Sequence, residues 1–155
     1  MRSSLTLCRG FPERRVCAGD AVLTEGGAND ALFILRDGAV RVMRSGVEVA
    51  VVRRVGAMFG EISAMLNVPV TATLVAMEDC RFHVIEHAEQ AVRDRPSIAL
   101  IIAEQLARRL SETTAYLATL KLQQGDGSTV SAIRNPGLAA RLFGQDGDAI
   151  DDGDD

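Results

Sequence analysis

Gly60-Glu61 is the first place in this sequence where residue types and spacing point to chemistry. The stretch Ala57–Leu66 is too long and too helical in composition for a strand. It predicts a short helix opening near Gly60 and ending before Asn67 and Pro69. Free backbone N–H groups and the positive end of the helix dipole at Gly60 make an anion site there. Gly60 itself lets backbone approach a ligand closely. Glu61, in the first turn, can accept hydrogen bonds from a hydroxyl group, or simply answer the dipole.

Other chemistry-bearing residues lead nowhere. His83 and His87 are four apart, but one belongs to a strand and the other to the following helix, so they form no two-histidine metal face. Cys8, Cys17 and Cys80 are an odd number without CxxC spacing. They favour a reducing cytoplasm over a disulfide framework, and they are too few for a four-cysteine cluster. No Gly-x-Ser-x-Gly or Walker-type loop appears, and no nucleophile–base pair stands out. Neither catalysis, a metal nor a bound cofactor is expected.

The elements that must hold Gly60 and Glu61 are mostly strands. Ala31–Leu35, Ala39–Met43 and Val47–Val52 are short apolar or alternating runs separated by Asp37-Gly38 and Ser45-Gly46. Asp-Gly between two such runs predicts a type I′ hairpin. Thr71–Ala76 and Cys80–Ile85 are further strands, joined by Met77-Glu78-Asp79. Short strands at this spacing predict a mainly β chain, an eight-stranded antiparallel jelly roll over about residues 15–85. After Ile85 the periodicity turns helical: a short helix over Glu86–Arg95, then a long one from Pro96 to about Gln124, where Gly125-Asp126-Gly127 stops it. Ala99, Ala103, Leu106, Leu110, Thr113, Leu117 and Leu120 form a heptad seam, with Ile98, Ile101 and Ile102 on a second face. Two apolar faces imply two partners, the chain's own β-roll and a second copy of the chain.

Composition bounds the rest. The 155 residues are 47% hydrophobic and 25% charged, which suits one soluble domain. No apolar run approaches the ~18 residues of a membrane span, and the first residues lack the apolar stretch of a secretory signal. The net charge of −4 is concentrated at the end, where residues 126–155 hold seven aspartates against Arg134 and Arg141. That segment reads as an acidic, Gly-rich flexible tail. Its repulsion from phosphate argues against DNA binding by this chain.

Gly19–Gly38, with Gly26 and Gly38 at its turns, and Gly56-Ala57-Met58-Phe59-Gly60-Glu61-Ile62 resemble the cyclic nucleotide-binding domain family. The resemblance covers roughly residues 15–122, and Pro69-Val70-Thr71-Ala72-Thr73 is similar to the close of that family's phosphate-binding cassette. It implies an antiparallel β-roll with a short cassette helix and C-terminal helices, residues 1–124 forming the domain and 125–155 the tail. The implied ligand is cyclic AMP or cyclic GMP, held between the roll and the long helix by Phe59, Gly60, Glu61, Ile62 and Ser63 and by Val70, Thr71 and Ala72. Glu61 takes the ribose 2′-hydroxyl. Thr113 and Thr114 lie about where catabolite activator protein contacts adenine from the dimer seam.

One position departs from that pattern. Val70 stands where nucleotide-binding members usually carry an arginine that grips the phosphate. Valine cannot imitate a guanidinium fork. Two further readings therefore stand beside the nucleotide sensor. The pocket is degenerate and the domain serves dimerisation or senses another small anionic ligand, or the chain is a transcription-regulator fragment without its helix-turn-helix.

Overall fold

The computed structural model describes residues 4–124. The expected acidic tail at 125–155 therefore lies outside the described residues. After α1 (Ser4–Leu7) come β1 (Glu13–Val16), β2 (Ala21–Leu23), β3 (Leu32–Asp37), β4 (Val40–Arg44) and β5 (Val47–Val52). Then follow β6 (Met58–Phe59), α2 (Glu61–Leu66), β7 (Thr73–Ala76), β8 (Cys80–Ile85), α3 (Ala88–Asp94) and α4 (Pro96–Gln124). The strands form two four-stranded sheets, β1-β8-β3-β6 and β2-β7-β4-β5, with every pairing antiparallel. This is the expected jelly roll.

β3 shows why its sequence is apolar throughout rather than alternating. Phe33 and Leu35 point into the core between the sheets, with Val40, Val42, Val52, Leu74, Phe82 and Val84. Leu32 and Ile34 point the other way, into a second core with Met58, Ile85, Cys8, Ile98 and Ile102. Helices α1, α3 and α4 cover that outer face, so the strand is buried on both sides. The four-residue α1, which the sequence pattern did not suggest, contributes Leu5 to this cluster.

The Asp37-Gly38 hairpin is not formed. β3 and β4 belong to different sheets, so Gly38 sits at a corner where the chain crosses between layers. The β7–β8 connection makes a second corner, and the two pack together: Met77 N–H and Cys80 Sγ both donate to the Ala39 carbonyl, at 2.9 and 3.2 Å. A Cβ on Gly38 would stand 2.6 Å from Cys80 Sγ. Gly38 is therefore required by this close approach rather than by a hairpin. The I′ turn lies instead at Ser45-Gly46, with φ of 51° and 76°, closing β4 onto β5 through Arg44 and Val47. At the second corner Arg15 donates to Asp79 Oδ2 at 2.5 Å and Ala18 N–H donates to Oδ1 at 3.1 Å. These bonds hold the Asp79 carboxyl below its ordinary range.

Candidate functional site

β6 is two residues long, yet it aims the site. Met58 and Phe59 pair with Ile34 and Phe33 and point to opposite faces, Met58 toward the helices and Phe59 between the sheets. The chain then turns at Gly60 (φ 84°) into α2. A Cβ at Gly60 would lie 2.7 Å from the Ala31 carbonyl oxygen and 2.8 Å from Asn29 Nδ2. Both the backbone angle and the space require glycine. Asn29 fixes this turn from the β2–β3 loop, its Nδ2 donating to Ala31 O at 2.8 Å, Gly60 O at 3.3 Å and Ser63 Oγ at 3.1 Å. Ser63 Oγ in turn donates to the Gly60 carbonyl at 3.1 Å.

A cavity of about 350 Å³ opens beside this turn. Phe59, Gly60, Glu61, Ile62 and Ser63 line one side, and Val70, Thr71 and Ala72 another. Leu23, Val42, Val49 and Leu74 supply apolar walls. The strand predicted from Thr71 begins only at Thr73, so Thr71 and Ala72 are irregular backbone at the cavity wall. Val70 is 6% exposed, and its backbone is bound on both sides: its N–H donates to Gly27 O at 2.9 Å, and its carbonyl accepts from Gly26 N–H at 2.8 Å.

Glu61 is 4% exposed although it is a carboxylate. Burying such a charge alone is costly, and it survives here because Arg109 on α4 donates to it as an ion pair. Arg109 also donates from Nη2 to the Met58 carbonyl at 2.8 Å. With its oxygen turned inward, the Gln105 carboxamide accepts from Met58 N–H and Arg109 Nη2, each at 3.1 Å. The long helix is thus tied to both ends of the β6–α2 turn.

Arg109 and Arg44 also line the cavity, and sequence reasoning missed both, as it missed Asn29. A signal for Arg109 existed: Ile98, Ile102, Gln105 and Arg109 follow at helical spacing on the inward face of α4. Thr113 and Thr114 stand farther along α4, outside the cavity lining. Their hydroxyls donate to the Arg109 and Leu110 carbonyls of their own helix, at 2.7 and 2.8 Å. The anion site expected at the α2 N-terminus has only a six-residue helix behind it, so side chains dominate the electrostatics.

Neither histidine lines this cavity. His83 is buried on β8, while His87 sits at the start of α3 with Nδ1 2.8 Å from Asp30 Oδ2. The predicted short helix begins only at Ala88, because His87 adopts φ 50° at its cap. Among the described residues no cluster of His, Cys, Asp or Glu could hold a metal. No described helix is long and apolar enough to cross a membrane.

Known proteins carry the same architecture. A cAMP-dependent protein kinase regulatory subunit of Yarrowia lipolytica is 26% identical over 154 residues, 94% of this chain. A cGMP-dependent protein kinase of Caenorhabditis elegans is 32% identical over 76 residues, 49% of this chain. The chain spans only 39% of the former's length and 10% of the latter's. A solved cyclic nucleotide-binding domain from Methylobacillus flagellatus superposes with a TM-score of 0.61 at 25% identity, over 69% of this chain and 66% of that one. Thermus thermophilus catabolite activator protein shares the fold, with a TM-score of 0.65 at 23% identity over 92% of this chain and 81% of that one. Residues 13–91, which include the β6–α2 turn and every strand, match the cyclic nucleotide-binding domain family itself, and the chain belongs to that family.

Proposed function

We propose that this chain is a ligand-sensing regulatory domain whose cavity takes a cyclic nucleotide of the cAMP or cGMP class between the β-roll and α4. The observation that carries the reading is Glu61, a buried carboxylate lining the cavity and paired with the helix that would report occupancy. A sugar hydroxyl donating to Glu61 would compete with Arg109 for the carboxylate, so ligand and helix share one contact. Binding then biases the position of α4 by population shift. Phe59, Gly60, Ile62, Ser63, Val70, Thr71 and Ala72 complete the wall around the ligand. Thr113 and Thr114 reach the base from the seam of a second copy.

Calorimetry with cyclic AMP and cyclic GMP on the purified chain tests this. The expected result is saturable binding of one nucleotide, weakened at least 10-fold by Glu61→Ala. If neither the parent nor Val70→Arg binds either nucleotide, the sensor reading falls.

A second reading rests on a different observation. Leu110 and Leu117 on the seam of α4 are 68% and 53% exposed, so among the described residues little covers this face. A domain that dimerises through α4, with a cavity no longer used for nucleotides, accounts for that face equally well. Sedimentation together with the calorimetry separates the two readings.

A further inference from the structure

We propose that Arg44, at the end of β4, is the anion anchor of the cavity and supplies the positive charge that Val70 cannot. The proposal deepens the nucleotide reading and rests on it for the identity of the ligand. Among the described residues three charged side chains line the cavity: Arg44, Glu61 and Arg109. Glu61 and Arg109 neutralise each other in their ion pair. Among the described residues Arg44 forms no ion pair, so the lining carries one positive charge outside the Glu61–Arg109 pair. The surrounding walls are largely apolar, which lowers the local dielectric and strengthens attraction for an anion.

Strand geometry explains how an arginine reaches this place. Side chains two apart on a strand share a face. Val40 and Val42 are buried between the sheets, and Arg44 is the next residue on that side, where β4 runs out of core. The register of Val42 with Leu74 and Met43 with Thr73 carries the end of β4 toward Ala72 and Thr71. Thr71 lines the same cavity and adds a hydroxyl to its wall. Glu25 holds the strand end in place: its Oε2 accepts from Ser45 N–H at 2.9 Å, while its own N–H donates to Thr73 Oγ1 at 3.0 Å. Arg44 is thus presented from a pinned turn, with a planar fork suited to two oxygens of an oxyanion. It is open to solvent on one side, so its effect belongs at the low end for a charge-assisted bond, about 10-fold in affinity.

The test compares the parent with Arg44→Gln and Arg44→Lys by calorimetry, and follows the Arg44 Nε–H resonance by NMR. Arg44→Gln is expected to weaken cyclic AMP binding about 10-fold, and Arg44→Lys to retain part of it. The resonance should move with cyclic AMP and stay in place with adenosine, which lacks the phosphate. If the parent binds cyclic AMP while Arg44→Gln stays within twofold of it, or the resonance responds equally to adenosine, the proposal is overturned and the nucleotide reading survives. If no cyclic nucleotide binds, that reading fails, and inorganic phosphate at constant ionic strength decides the anchor. A resonance that then moves supports Arg44 as the anchor for another oxyanion; one that does not move refutes it.

Discussion

The guanidinium of Arg109 closes onto the carboxylate of Glu61 across 48 residues of sequence, joining the long helix to the turn that shapes the cavity. Both side chains are largely buried, at 18% and 5% exposure. Removing one partner leaves the other charge stranded, whereas replacing both removes the problem. Arg109→Met should therefore lower the unfolding free energy by about 3–5 kcal/mol, and the double variant with Glu61→Gln should recover most of that loss. Urea denaturation of the four proteins in this cycle checks it; equal losses in single and double variants would show that packing, not charge, holds the helix.

Val70 offers a gain-of-function experiment. Its side chain lines the cavity and its backbone bonds to Gly26 and Gly27 do not depend on the side chain. Val70→Arg should raise cyclic nucleotide affinity about 10-fold or more, the value of a charge-assisted bond of roughly 1.5–3 kcal/mol. The gain should be larger in an Arg44→Gln background, where Arg44 no longer competes for the anion. Fluorescence titration of the two backgrounds measures the difference, and equal gains would mean that the two positions meet different parts of the ligand.

Leu110 and Leu117 bear on the association of two copies through α4. Charge placed at a packed seam is costly, because an unpaired buried ion loses several kcal/mol of hydration. Leu110→Glu with Leu117→Glu should convert a dimer to a monomer in sedimentation velocity while circular dichroism stays unchanged. A parent that already sediments as a monomer, or a variant of unaltered mass, removes α4 as the interface.

The three cysteines should separate by reactivity. Cys17 is exposed, whereas burial pushes the Cys8 thiol up to about 11 and also raises Cys80. Iodoacetamide at pH 8 should label Cys17 in the native protein and reach the other two only on unfolding. The unfolded Cys8 thiol ionises near its ordinary value of 9.0, so between about 9 and 11 the folded state binds more protons than the unfolded. Stability should then fall as pH rises through that window, and a Cys8→Ala variant should show a shallower fall in thermal melts.

Much of this molecule is legible from residue order, and the exceptions have physical causes. Cys80–Ile85 and the start of α4 at Pro96 coincide with their predicted bounds, since apolar pattern and proline act locally. Asp37-Gly38 misled because the same dipeptide that fits an I′ turn also fits a corner between sheets, and only the long-range packing on Cys80 distinguishes them. Glu61 was visible from its place beside Gly60. Arg109 was not, because an arginine midway along a charged helix ordinarily faces water, and its partner lies outside any local window. Arg44 escaped for a similar reason: the inner face of a strand is expected to end in solvent, and here it ends at a cavity.

Helix α4 is 29 residues long, and Ile98, Ile102 and Arg109 anchor its first half. From Arg109 to Gln124 it extends about 22 Å further at 1.5 Å per residue. On the proposed sensor reading that makes it a lever, pivoting where Arg109 meets Glu61. A tilt of about 10° there would swing the far end by roughly 4 Å over that length. A contact change of atomic size at one carboxylate would thereby be delivered, magnified, to whatever the tip of the helix touches.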